Sequence, residues 1–134
     1  MTIKYARATE ADVQTAVLQV LAYHPRVAWV CRQNTGAAKL PGRGGEQLVR
    51  FGQPGQPDIT GQMKDGRRLD VEVKREGWRP PRSGRELAKW ELQRSWLLRT
   101  LEHGGVAGVA RSVDEAIQIV NGAVPVLDRL WWVV

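Results

Sequence analysis

Only one of the 134 residues is cysteine and only two are histidine. Cys31 has no partner for an intramolecular disulfide, and with His24 and His103 as the only imidazoles the composition argues against a zinc site. Any metal held here is expected to be a hard cation with oxygen ligands. Cys31 falls in the apolar run VAWVC, which predicts a buried packing role. Long apolar runs are missing too. No stretch is long enough to span a bilayer, and the first residues, MTIKYARATEADVQ, have no apolar signal core, so the expectation is a cytoplasmic protein without a membrane partner. Acids are the minority charge, 14 against 20 Lys and Arg, which leaves a formal net charge of +6. A basic excess on a small domain favours a polyanionic partner. With 43% apolar residues the chain is no disordered polyelectrolyte, and its length suits one domain over residues 1–134 with its own core.

The pattern reads as α, a run of β, α, β, α. Thr9 is placed to cap a helix near 9–23, with Glu10 and Asp12 in its first turn and Val13, Ala16, Val17, Val20 and Leu21 at helical spacing. Val27 to Arg32 is short, β-branched and aromatic, hence a strand. NTGAAKLPGRGGEQ is dense in glycine and basic residues and reads as a mobile loop, LVRF as a strand and GQPGQP as a hinge. Asp58 to Met63 and Leu69 to Arg75 form a hairpin around KDGR. REGWRPPRSGRE is a second loop. Ser83 and Glu86 have capping-box spacing ahead of a long helix marked by Leu87, Trp90, Leu97, Leu98 and Leu101 and ending before Gly104–Gly105. VAGVA is a strand, and Ser112 with Glu115 repeats the capping-box spacing before a short helix near 113–121. LWWVV at the end is apolar, an edge strand or a contact surface.

On the second hairpin strand Leu69, Val71 and Val73 point one way and Asp70, Glu72 and Lys74 the other. A half-buried strand with a solvated charged face is the common source of such alternation, and Asp58, after Pro57, has the form of an ordinary turn aspartate. Together they suggest more. Two facing carboxylates repel unless a cation lies between them, and a lysine one residue pair along can face a phosphate or an attacking water. Glu10 and Gln14, four apart, share a helix face. Gln93 interrupts an apolar helix face between Trp90 and Leu97, so it needs a buried partner or a cleft.

PD at 57–58 followed by EVK at 72–74 resembles the PD-(D/E)XK nuclease superfamily. TEADVQ (9–14), RQNTG (32–36), GQPDITG (55–61), VEVK (71–74), LQRSWLLRTLEHGG (92–105) and VARS (109–112) follow the order of its VRR-NUC branch, the virus-type replication-repair nucleases, so the resemblance covers roughly residues 9–120. It implies an α/β, restriction-endonuclease-like core with a central mixed β-sheet flanked by helices. It implies Asp58 and Glu72 as metal-binding carboxylates, Lys74 as the catalytic lysine, Glu10 and Gln14 as the acid and glutamine of the first helix, and Gln93 as the glutamine of the following one. The stretch from Lys74 to Gln93 is longer and richer in Pro and Arg than the branch pattern.

The activity this implies is Mg²⁺- or Mn²⁺-dependent hydrolysis of DNA phosphodiesters. The ion would be held by Asp58, Glu72 and the Val73 carbonyl, with Glu10 reaching it through water or placing a second ion. Gln14, Arg32, Asn34, Lys39, Arg43, Arg50, Arg75, Arg79, Arg82, Arg85 and Lys89 are the residues expected to meet DNA. Trp78 stacks on bases or packs on its own loop. No base-reading motif is present, so phosphates and DNA shape are the expected targets. Stand-alone members of the branch resemble homodimeric nucleases of branched DNA, which makes a four-way (Holliday) junction the first expected substrate. A sequence-specific or flap nuclease is the alternative within the class, and a non-catalytic DNA-binding module the alternative outside it.

The hairpin register tests this reading. A two-residue turn at Asp65–Gly66 pairs Lys64 with Arg67 and sets Asp58 opposite Val73, on the wrong face. A three-residue loop, Lys64–Asp65–Gly66, pairs Met63 with Arg67 and sets Asp58 opposite Glu72. The second register, with positive φ at Gly66, is the one the site requires.

Overall fold

A computed structural model describes residues 7–33 and 36–127. Asn34 and the LWWVV end lie outside the described residues. Nine elements follow in order: α1 (Glu10–Ala22), β1 (Val27–Arg32), β2 (Gly36–Gly42), β3 (Gly45–Phe51), β4 (Ile59–Met63), β5 (Arg68–Val73), α2 (Gly84–Glu102), β6 (Val106–Ala110) and α3 (Val113–Val120). The main sheet has the order β1-β4-β5-β6, antiparallel except for the parallel β5–β6 pair joined through α2. The expected α/β core, a central mixed sheet flanked by helices, is what the chain forms.

Alternation along each strand decides which helix covers which face. Leu69, Val71 and Val73 of β5 and Ile59 and Met63 of β4 meet Val13, Val17 and Leu21 of α1 and Ala116, Ile119 and Val120 of α3 in one buried cluster. Each such aliphatic side chain contributes about 1.5–3 kcal/mol on full burial. Gly108 permits the close fit of α3 on β6, since a Cβ there would lie 2.8 Å from Ile119 Cγ1. The opposite face receives α2, whose Trp90 and Leu97 pack on Ala107 and Val109.

The α1 cap is stronger than expected. Thr9 Oγ1 accepts from Asp12 N–H and Asp12 in turn accepts from Thr9 N–H, a complete capping box. Ser112 Oγ likewise accepts from Glu115 N–H, but the Glu115 carboxylate turns to Arg111 instead of closing the box. Ser83 makes no side-chain cap bond, contrary to its spacing. The next residue, Gly84, has φ +76°, where the first residue of a capped helix is ordinarily right-handed.

Three further expectations are corrected. The glycine-rich segment expected to be a loop forms β2 and the start of β3, and the expected strand LVRF is the end of β3; the two pair from Gly36↔Phe51 to Gly42↔Gly45 and, among the described residues, with no strand of the main sheet. The expected hinge GQPGQP is a closed turn. Gln56 N–H donates to the Gln53 carbonyl and Gln53 N–H to Gln56 Oε1, with Pro54 and Gly55 at the centre, Gly55 at φ +81°. That turn presses on α2 so closely that a Cβ on Gly55 would stand 2.7 Å from the Leu92 carbonyl. Cys31 is exposed rather than buried. Its strand, β1, is an edge of the main sheet, and Cys31 lies with Trp29 on the α2 side, where α2 packs chiefly on β5 and β6.

Candidate functional site

The β4–β5 hairpin has the register the site requires. Met63 N–H donates to Arg67 O at 2.8 Å and Gly66 N–H to Met63 O at 2.9 Å, with Gly66 at φ +94°. This is the three-residue loop with glycine in the left-handed position. Pairing then runs through Gln62↔Arg68 to Ile59↔Val71, and one step further Asp58 stands opposite Glu72. Asp58 Oδ2 accepts from Val73 N–H at 2.9 Å, so the acid is locked to the strand that carries its partner. A residue's N–H and C=O leave an extended strand on the same edge, which turns the Val73 carbonyl toward Asp58.

The charged face of β5 is not solvated. Asp70 is 0%, Glu72 2% and Lys74 8% exposed, because α2 lies across them. Its buried stripe of Trp90, Gln93, Leu97 and Thr100 places a polar side chain over each end of the charged row. Lys74 Nζ donates to Gln93 Oε1 at 2.9 Å and stands 3.6 Å from Glu72 Oε1. Thr100 Oγ1 donates to Asp70 Oδ2 at 2.6 Å, and Arg68 Nε reaches the same oxygen at 2.8 Å.

Two buried oxygens in this row have no donor, Asp70 Oδ1 and Glu72 Oε2, and only the second faces another carboxyl, that of Asp58. Burial first, and then the charge of Asp58, hold the Glu72 carboxyl well above the ordinary carboxylate range, against the opposing pull of Lys74; the charge of Glu10 is the weakest of the influences that raise it. Two acceptors facing one another need a proton or a cation between them. Among the described residues no three His, Cys, Asp or Glu side chains converge into a metal cluster. Two carboxylates with a main-chain carbonyl nonetheless fit Mg²⁺ or Mn²⁺, which commonly take one or two carboxylates and fill the remaining positions with water.

Behind Lys74 the chain is clamped. The Lys74 ammonium lies 5.1 Å from the centre of the Trp78 ring, and that ring meets Trp90 edge-on at a centroid distance of 5.0 Å. The Trp78 carbonyl accepts from Arg111 Nη1 at 3.0 Å, while Arg111 is paired twice with Glu115, at 2.9 Å each. Ala8 and Glu76 exchange two hydrogen bonds across the same loop, Ala8 N–H to Glu76 Oε2 and Glu76 N–H to Ala8 O. Trp78 is thus a wall of the site, its ring occupied by Lys74 and Trp90 instead of standing free for a base. Arg111→Ala should lower the unfolding free energy by about 2–3 kcal/mol, the scale of lost charge-assisted hydrogen bonds. Urea denaturation checks this, and Arg68→Ala, whose side chain is half exposed, is expected to cost less.

The structure brings Asp58, Glu72, Val73, Lys74 and Gln93 together. Glu10 is exposed in the first turn of α1 and acts on Glu72 through charge alone. Gln14 is half-buried one turn later. Arg32, Arg43, Arg75, Arg79, Arg82, Arg85 and Lys89 are exposed, and Lys39 and Arg50 belong to the backbone of the ribbon. Sequence reasoning put Asp70, Trp90 and Glu115 on their elements but gave them no role around the site, and it did not single out Thr100 or Arg111. The only signal for Thr100 was its distance of two turns from Gln93 on α2. A helical threonine is also satisfied by its own helix, as Thr100 is by Trp96 O, so the spacing alone did not single it out. No family model, curated protein or solved structure matches the chain.

Proposed function

We propose that this protein is a Mg²⁺- or Mn²⁺-dependent DNA endonuclease of the PD-(D/E)XK type, of the VRR-NUC branch. The observation that carries the reading is the buried, donorless Glu72 Oε2 set against Asp58 with Lys74 beside it. Burying like charges side by side has no folding advantage. A site that binds a cation gives the arrangement a use.

A divalent ion held by Asp58, Glu72 and the Val73 carbonyl would supply charge neutralisation at a phosphate oxygen. The chain's own residues do the rest. Asp58, tied to Val73 N–H, presents its second oxygen in a fixed direction. Gln93 holds Lys74 by its carbonyl oxygen and thereby keeps the ammonium beside the acids. Lys74 contributes the compensating positive charge for the negative charge that develops on a phosphate under attack. The exposed arginines at 75, 79, 82 and 85 follow Lys74 directly and supply contacts to neighbouring phosphates. The likeness of stand-alone branch members points to a four-way junction as substrate and to a two-fold dimer presenting two such sites.

The rival is a basic module that binds DNA without cutting it. Incubation with junction and linear DNA separates the two. Cleavage of the junction in Mg²⁺ or Mn²⁺ and none in EDTA is expected. Intact DNA under every metal condition, with binding retained, would establish the rival.

A further inference from the structure

We propose that the β2–β3 ribbon is an arm that enters the major groove of B-form DNA. Its position next to the reacting phosphate rests on the nuclease reading above; its groove contact does not. The ribbon is seven residues long on each side and, among the described residues, pairs with no strand of the main sheet. At about 3.3 Å per residue it reaches roughly 20 Å. Opposed residues share a face, so Leu48, opposite Lys39, lies on one face and Leu40, opposite Gln47, on the other. Leu40 is 42% and Leu48 59% exposed, so a large leucine stands partly in solvent on each face.

Its roots are at the site. At one end Gln33 N–H donates to the Asp58 carbonyl at 2.7 Å. At the other the chain passes through the turn at 53–56, which presses on α2 beside Leu92, and arrives at Asp58. A duplex whose phosphate lay at Asp58 would have the ribbon alongside it.

Charge and width select the partner. Residues 36–51 carry Lys39, Arg43 and Arg50 against the single acid Glu46. A second copy would bring the same excess and repel, whereas a polyanion is attracted. The tip is slim, Gly42, Arg43, Gly44 and Gly45, with Arg43 the only long side chain. The B-form major groove, about 12 Å wide, admits a two-stranded ribbon. The major groove of A-form RNA is deep and narrow and does not. The arm therefore selects DNA duplex over RNA duplex.

The test is fluorescence anisotropy in EDTA with labelled DNA and RNA duplexes of one sequence, using the full chain, Arg43→Ala, and a variant whose ribbon is shortened by removing residues 39–48. The wild type should prefer DNA. Shortening should weaken DNA binding by about tenfold or more and bring it to the RNA level with an unchanged unfolding midpoint, and Arg43→Ala should reduce the salt slope by about 0.9. A shortened variant with wild-type DNA affinity, or a wild type that binds the two duplexes equally, overturns the proposal. Hydrolysis of bis(p-nitrophenyl) phosphate with Mn²⁺, too small to need the ribbon, reports on the catalytic reading separately. Ribbon-dependent DNA binding without diester hydrolysis would support the arm and remove the nuclease.

Discussion

Asp58→Asn should lower metal-dependent cleavage of branched DNA by about 10³-fold, the upper range for loss of one electrostatic group at a reacting centre, and leave binding in EDTA unchanged or tighter. The substitution separates the two duties of Asp58. Its Oδ2 accepts from Val73 N–H, and the amide oxygen of asparagine can accept the same bond, so the hairpin end stays in place. What disappears is the negative charge facing Glu72. The ion loses a ligand while Glu72 is relieved of a repelling neighbour. Single-turnover cleavage and a thermal melt, measured together, separate lost chemistry from lost structure. Wild-type cleavage by a folded Asp58→Asn protein would remove Asp58 from the site, and a collapse of the fold would make its role structural.

The site was legible where chemistry and local geometry meet in short segments. The register of β4 on β5 followed from requiring Asp58 and Glu72 on one face, and the structure has the Met63–Arg67 closure that this demands. Alternation along β5 placed Asp70, Glu72 and Lys74 together, and Gln93 stood out as a polar interruption of an apolar helix face. Their burial was not legible. Alternation sorts residues between two faces but does not say which face is covered, and on the α2 side the sheet is covered over β5 and open over β1. The same limit misplaced Cys31. The ribbon's glycine-rich part was misread, although LVRF was expected as a strand, because glycine and proline are breakers within a packed strand, whereas a two-stranded ribbon outside the main sheet tolerates them. The Arg111–Glu115 clamp on Trp78 joins positions 33 residues apart, and no local pattern announces such a bond.

Glu72→Gln should stabilise the metal-free protein at alkaline pH and abolish its response to Mn²⁺. Burial and Asp58 raise the folded-state pKa of Glu72 well above its ordinary value. The sign follows from linkage: a carboxyl with a raised folded pKa gives stability that is fully present below the unfolded value and is lost as pH rises through the folded one. In EDTA, therefore, the wild type should lose stability between mildly acidic and alkaline pH, and Glu72→Gln should lose less. The glutamine keeps an oxygen for Lys74 and offers an N–H₂ group to Asp58, so the donorless contact at Oε2 becomes a hydrogen bond. Repairing one unsatisfied buried group is worth about 1–3 kcal/mol, equivalent to a rise in Tm of several degrees. Mn²⁺ competes with the proton for the same oxygens, so it should raise the wild-type Tm most at alkaline pH, by an amount that grows with its concentration over Kd. It should leave Glu72→Gln nearly unmoved. Melting curves over pH, with EDTA or Mn²⁺, decide the matter without any substrate. A Glu72→Gln protein less stable than the wild type in alkaline EDTA would show that the buried pair carries no charge penalty, and a wild type indifferent to Mn²⁺ would show that the pair binds no cation.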